Sequence, residues 1–202
     1  MKEQFYDGLL HIKTGGGAWG FNQSFHYHPY EPTPYSALEE WLKRYELKTS
    51  DRLVDFGCGK GRLAFFINYV SQATVIGIEM NEEFYRQAVE NRSRYMKKMK
   101  HKKNQIEFHL CLAENYQIHP LDNRFYFFNP FSIQIFMNVI NNILVSVEHN
   151  KRDVELILYY SSEDYIYFLE SHTSFELKEE IIVPDLYEQN PNERFLIYQL
   201  AY

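Results

Sequence analysis

The sequence predicts an α/β fold: a mostly parallel, seven-stranded sheet with helices on both faces and an antiparallel hairpin at its C-terminal end. Three observations predict it. From Asp51 onward, short apolar runs alternate with longer amphipathic segments, the pattern of repeated strand–helix units. The first apolar run enters a glycine-rich loop that opens a helix. The last two runs have only a Pro/Asn/Asp-rich turn between them, which reads as a hairpin.

Each element follows from local chemistry. Before Asp51, Lys13 to Gly20 is glycine-rich and loop-like, and His28 to Tyr35 holds three prolines that restrict it to extended or turn conformations. Leu38, Trp41, Leu42 and Tyr45 recur at helical spacing, so a helix is expected over Ala37 to Tyr45, with Ser36 as its cap and Glu39 three residues on in the capping-box position. Strands are then expected over 52–56, 73–79, 105–112, 124–128, 154–160, 175–183 and 194–201, and helices over 63–70, 82–99, 134–147 and 165–169. Residues 1–50 read as an N-terminal loop and helix segment covering the core, and 51–202 as the main domain, together one structural domain.

Composition narrows the function. The 202 residues are 45% hydrophobic and 17% aromatic, values of a folded globular chain. The formal net charge of −6 argues against sequence-blind nucleic-acid binding, so no DNA partner is expected. Cys58 and Cys111 are too few for a disulfide framework or a zinc cluster, so no metal site is expected and a reducing, cytoplasmic setting fits. Met1 to Gly20 lacks a signal-peptide pattern, and the richest apolar stretch, Phe131 to Val147, is interrupted by polar residues, so no membrane partner is expected.

The most specific stretch is Leu53-Val-Asp-Phe-Gly-Cys-Gly-Lys-Gly61. Alternating glycines let the backbone turn sharply and come close to a ligand, and the following helix N-terminus presents free N–H groups. A nicotinamide site would need its third glycine one residue later, and Asp55 would repel a pyrophosphate. A carboxylate there suits the ammonium and sulfonium charges of S-adenosylmethionine. The stretch resembles the first motif of class I, Rossmann-like S-adenosylmethionine-dependent methyltransferases, acidic-x-Gly-x-Gly-x-Gly, matched at Asp55, Gly57, Gly59 and Gly61, with Cys58 inside the loop. The resemblance implies that S-adenosylmethionine is the cofactor. It implies that Glu79, at the end of the second strand, binds the ribose, that Met80 packs on the adenine, and that Ala113 and Glu114 lie near the adenine amino group.

Phe127-Phe-Asn-Pro-Phe-Ser132, at the end of the fourth strand, resembles the Asn-Pro-Pro-aromatic motif of enzymes that methylate planar amino groups, with one proline missing. It makes Asn129, Pro130 and Phe131 candidate catalytic residues, Asn129 also as a cofactor contact. The loop before the first helix is similar to one in non-SET histone lysine methyltransferases, which implies a lid role for Tyr30, Thr33 and Tyr35 over the cofactor. His26, His28 and Tyr30 are candidate bases, and Lys97 to Lys103 is a basic run that either complements a helix C-terminus or contacts RNA. The function expected is methyl transfer in line to an unidentified acceptor, an amino nitrogen of a protein or small molecule ahead of RNA. A non-catalytic cofactor-binding scaffold and an RNA methyltransferase stand as alternatives.

Overall fold

The computed structural model describes residues 2–16, 30–99 and 105–201. Its seven strands are β1 (Arg52–Phe56), β2 (Thr74–Glu79), β3 (Ile106–Leu110), β4 (Arg124–Phe127), β5 (Glu155–Tyr159), β6 (Phe175–Ile182) and β7 (Arg194–Leu200), in one sheet of order β3-β2-β1-β4-β5-β7-β6. Strands β1 to β5 pair in parallel, and β7 inserts antiparallel between β5 and β6. The chain steps outward from β1 to β3, then returns to lay β4 on the other side of β1. That reversal opens a crevice at the carboxyl ends of β1 and β4, where open α/β sheets bind ligands.

Alternation along the strands divides the core in two. Leu53, Val75, Ile106, Tyr126 and Ile157 face one layer, with helices α1 (Lys2–Leu10), α2 (Tyr35–Arg44), α3 (Arg62–Ser71) and α4 (Glu82–Lys98). Val54, Ile76, Phe125, Phe127 and Leu158 face the other, with α5 (Ile133–His149) and α6 (Glu163–His172). The helices begin where their caps dictate: the Asn81 side chain accepts the Phe84 N–H at 2.9 Å, and Ser162 does the same for Tyr165 at 3.4 Å. Among the described residues no helix is long and apolar enough to cross a membrane.

Two local expectations need correction, and one element is unexpected. Helix α2 starts at Tyr35 with Pro34 as its N-cap, so Ser36 lies inside the first turn and caps nothing; Glu39 instead accepts hydrogen bonds from Lys2 and Tyr6. Residues 2–10, to which the sequence pattern assigns no element, form α1, whose one fully buried residue is Leu10. It has no apolar stripe because polar contacts hold it, as described below. The turn between β6 and β7 carries a short helix, α7 (Pro184–Tyr187), started by its proline. His26, His28 and residues 17–20 of the glycine-rich loop lie outside the described residues, as do 100–103 of the basic run; within that run, Lys98 reaches back to the His11 ring at 2.9 Å.

Candidate active site

The glycine loop is shaped by its neighbours on both sides. The N–H groups of Gly57 and Cys58 both donate to the Ile78 carbonyl, at 2.9 and 3.0 Å, which seats the first turn of the loop on the end of β2. Gly57 has φ 81°, and a Cβ there would meet Pro130 Cβ at 2.8 Å. This close approach draws the end of β4 against the end of β1. Gly59 has φ 53°, and a Cβ there would lie 2.1 Å from Cε2 of Tyr30. Tyr30 thus lies directly on the loop, packed on Phe84 at 4.7 Å, with its hydroxyl donating to the Thr14 carbonyl at 2.8 Å.

Two carboxylates are buried beside this loop, Asp55 at 4% exposure and Glu79 at 7%. One Glu79 oxygen accepts the Gly59 N–H at 2.9 Å and the other the Asn81 N–H at 2.7 Å. Burial raises the Glu79 carboxyl, and these N–H groups oppose the rise by stabilising its ionised form. Asp55 is pushed up to about 8, first by burial and then by the charge of Glu79. Among the described residues neither forms an ion pair with a lysine or arginine. Two buried acids without a cation beside them are suited to a cationic or hydroxyl-bearing ligand.

A strap over residues 12–16 binds the loop from behind. Lys60 donates to the carbonyls of Gly15 and Gly16 at 3.0 and 2.6 Å, and its ammonium lies 5.0 Å from the Tyr30 ring centre. Asn91 on α4 bridges the Lys13 and Lys60 carbonyls at 3.1 and 2.9 Å and accepts the Lys13 N–H at 2.8 Å. Arg62, 5% exposed, donates to Thr14 Oγ1 at 2.8 Å, pairs with Glu3 and covers the Tyr35 ring. Asp7 gathers the Thr14 and Tyr35 hydroxyls, each at 2.8 Å. This network replaces the missing apolar stripe of α1. Of the proposed lid residues, Tyr30 touches the loop and Thr33 shares a 2.7 Å hydrogen bond with Tyr126, the residue paired with Asp55 across β1 and β4. Tyr35 is fully buried in the Asp7–Arg62 network.

At the far end of the loop, Met80 is 42% exposed beside Glu79, where a flat ring would find an apolar partner. Ala113 and Glu114 form a single 3-10 turn after β3, fixed by the Asn142 side chain donating to the Glu114 carbonyl at 2.9 Å. Glu114 Oε2 is buried with no hydrogen-bond partner among the described residues, an acceptor still awaiting a donor. At the end of β4, Asn129 has φ 40°, a strained conformation that asparagine tolerates better than other side chains with a Cβ. Phe131 does not line the crevice. It is 2% exposed, packed edge-on to Phe127 in the opposite core layer, and its carbonyl accepts the Tyr165 hydroxyl. The candidate catalytic ring at Phe131 is thus buried away from the crevice, whereas the neighbouring Phe128 is half-buried on the Tyr126 side of the sheet.

The geometry therefore assembles a glycine loop, a carboxylate at the end of β1, a second at the end of β2 and an open acceptor after β3. Residues 34–125, a little under half of the chain, match the family model described as a methyltransferase domain. Over those residues the chain is similar to a methyltransferase domain, and its sheet has the Rossmann-like order of that class. Solved structures share its fold at low identity. An RNA methyltransferase from Salinibacter ruber, in complex with S-adenosyl-L-homocysteine, superposes with TM-score 0.56 at 13% identity, covering 84% of this chain and 92% of that one. A Haemonchus contortus phosphoethanolamine N-methyltransferase, with phosphoethanolamine and S-adenosylhomocysteine, gives 0.61 at 13% identity, covering 83% of this chain and 42% of that one, so the present chain spans less than half of it. A Streptococcus agalactiae protein of the NADB-Rossmann superfamily gives 0.56 at 15% identity, covering 85% and 69%. No curated protein matches in sequence.

The donor set of this domain fits an adenosylated cofactor. Asp55 offers a carboxyl that a cationic ligand would ionise, each Glu79 oxygen retains a lone pair that a ribose hydroxyl would use, and Glu114 Oε2 is an unused acceptor after β3. Sequence reasoning singled out these acids but passed over Thr14, Lys60, Arg62 and Asn91. A polar residue directly after each glycine of a ligand loop was the available signal for Lys60 and Arg62. It passed over Phe128, Tyr159 and Tyr160 as well, because an aromatic at a strand end is indistinguishable from core in a chain with 17 Tyr and 16 Phe.

Proposed function

We propose that this domain transfers the methyl group of S-adenosylmethionine to an amino nitrogen of a protein or small molecule. The observation that carries the reading is the pair of buried carboxylates, Asp55 and Glu79, set around the glycine loop with no basic partner among the described residues. When bound, the cofactor supplies an electrophilic methyl on a positively charged sulfur. Asp55 would face its positively charged end, Glu79 would take the ribose hydroxyls, Met80 would pack on the adenine ring and Glu114 would accept from its amino group. Tyr30 and Thr33 cover the loop from the N-terminal segment, residues 1–50 acting as a cover on the 51–202 core. Transfer from the cofactor would be an in-line displacement, the acceptor's lone pair replacing the carbon–sulfur bond whose electron pair would stay on sulfur. This in-line displacement requires alignment above all, and no nucleophile from the protein. Two unpaired thiols, Cys58 and Cys111, support a reducing, cytoplasmic setting.

Calorimetry on purified protein tests the proposal, titrating S-adenosylmethionine and S-adenosylhomocysteine with NAD and NADP as controls. Micromolar binding of the first pair alone is expected, and labelled cofactor then identifies the acceptor pool. Binding of NAD in their place would overturn the cofactor assignment. Binding without transfer to any amine, peptide or RNA would favour a cofactor-binding scaffold.

A further inference from the structure

The carboxyl edge continues past the cofactor loop to the ends of β4 and β5. Four segments meet there: 30–34, 128–132, 160–164 and the β6–β7 connection 183–193. Three rings form its wall. Phe128 and Tyr159 have centroids 4.8 Å apart, Phe128 and Tyr160 6.2 Å, and Tyr159 and Tyr160 6.5 Å, with all three pairs inclined by 60–62°. Phe128 and Tyr160 are half-buried at the edge, while Tyr159 is fully buried behind them. Tyr160 is held at φ 53°, an unfavourable backbone for a bulky side chain, and its hydroxyl accepts from Asn190 Nδ2 at 2.6 Å. Glu193, half-buried, accepts the Tyr159 hydroxyl, and the charge of Glu31 also reaches that hydroxyl.

The same segments are devoid of basic side chains. The sequence has no lysine or arginine between Lys13 and Lys43, between Arg124 and Lys151, between Arg152 and Lys178, or between Lys178 and Arg194. Arg194, which closes the last interval, is bound to Glu180 at 2.8 Å. At the opposite edge Arg52 pairs with Asp122, and Arg124 with Asp51 and Glu155, while Arg62, which reaches the Thr33 carbonyl at 3.3 Å, is committed to Glu3, and Lys60 to the carbonyls of Gly15 and Gly16. An acceptor carrying phosphates beside its reacting atom would meet Glu31 and Glu193 with no lysine or arginine of these segments to neutralise it. An ammonium group would meet ring faces backed by carboxylates, the surroundings that attract it.

We infer that the Phe128–Tyr160 wall with Glu193 is the acceptor subsite, and that it takes an aliphatic ammonium group, from a lysine side chain or a free amine, rather than RNA. This rests on the methyltransferase reading above and narrows its acceptor. The bound ammonium loses one N–H proton to water, the freed lone pair bonds to the methyl carbon, and the carbon–sulfur bond breaks with its electrons on sulfur. The product amine, one methyl heavier, carries the positive charge that the sulfur gave up.

The test uses the full chain saturated with S-adenosylhomocysteine, whose own binding is measured first. If it fails to bind, the cofactor reading falls independently of this inference. Titration of the loaded protein with tetramethylammonium and with inorganic phosphate as probes is expected to show binding of the cation alone. Glu193→Gln, which keeps an acceptor for Tyr159, is expected to weaken the cation about tenfold, and Tyr160→Leu to do likewise. Both should leave S-adenosylhomocysteine affinity within about twofold. Transfer assays then separate the sources: a lysine peptide, a panel of free alkylamines, and RNA. Tetramethylammonium binding indifferent to both substitutions, phosphate binding as tightly, or label passing to RNA would each overturn the inference.

Discussion

The two halves of the carboxyl edge are built from different materials. Around β1 and β2 the ligand surface is largely backbone: glycines too crowded to bear side chains, N–H groups committed to Glu79 and to the Ile78 carbonyl, and two buried acids. Around β4 and β5 it is side chain: Phe128, Tyr160 and Glu193 projecting from two strand ends and a connection. The family match spans 34–125 and stops before Phe128, so it covers the backbone half alone. Backbone sites constrain sequence tightly, because a single Cβ ruins them. Side-chain sites leave the chain free to change its acceptor without disturbing the loop.

The sharpest way to break this comparison lies at Phe131 and Phe128, two rings three residues apart. Phe131→Ala removes a ring buried against Phe127 and is expected to lower unfolding free energy by about 3–5 kcal/mol. Urea denaturation measures it. Phe128→Ala, at the edge, is expected to cost less stability and instead to raise the acceptor KM while S-adenosylhomocysteine affinity holds. If Phe131 governed turnover and Phe128 only stability, the placement of the acceptor half would be wrong.

Gly59→Ala tests the backbone half. The new methyl would require a left-handed conformation and would drive into the Tyr30 ring, which must then leave the loop. A stability loss of about 2 kcal/mol is expected from strain and lost packing, with cofactor affinity falling more than tenfold. Tyr30→Ala in the same chain relieves the clash but not the backbone strain, so only part of the stability should return. Full return would make packing against Tyr30 the sole reason for the glycine.

How much of this was legible in the sequence follows the same division. The strand–helix order, the glycine loop and Glu79 were legible because apolar period and glycine spacing are local signals. Helix α1 was not, since it is held by Asp7, Glu3 and Arg62 across 59 positions of sequence separation and shows no apolar periodicity. The cap at Ser36 misled because Pro34, with its fixed φ, already started the helix two residues earlier than the apolar pattern suggested. Asn129-Pro130-Phe131 was located correctly at the end of β4, but the direction of each side chain depends on the turn at Asn129, whose positive φ sends Phe131 into the far layer.

Asp55 gives the comparison a pH axis. Its carboxyl, pushed up to about 8 by burial and by Glu79, is largely protonated at neutral pH in the free protein. A cationic ligand binds best to the ionised form, so affinity for S-adenosylmethionine should rise up to about tenfold per pH unit below 8 and level off above it. Stability should move the opposite way. The unfolded carboxyl ionises near its ordinary value while the folded one retains its proton, so the unfolded state binds fewer protons between those limits and unfolding free energy falls as pH rises toward 8. Asp55→Asn should flatten both profiles. Calorimetry and thermal melts from pH 5.5 to 9 read the two slopes, and slopes of the same sign would refute the assignment to Asp55.

The smallest effect concerns how the two halves are held to the N-terminal segment. Lys60 sits in the glycine loop but directs its ammonium away from the acids, to the carbonyls of Gly15 and Gly16 and over Tyr30. Lys60→Met keeps the apolar stem and removes the charge, and should cost about 1 kcal/mol, the scale of one net hydrogen bond with a cation–π contribution. The loss should be local. Hydrogen exchange at the amides of 12–16 should accelerate, while β5 to β7 exchange as before. Because Tyr30 is anchored by Thr14 of the same strap, S-adenosylhomocysteine affinity should drop a few-fold in parallel, even though Lys60 contacts neither Asp55 nor Glu79. Faster exchange without any loss of affinity would mean that the strap stabilises the helix pair α1 and α2 and leaves the glycine loop to hold its own shape.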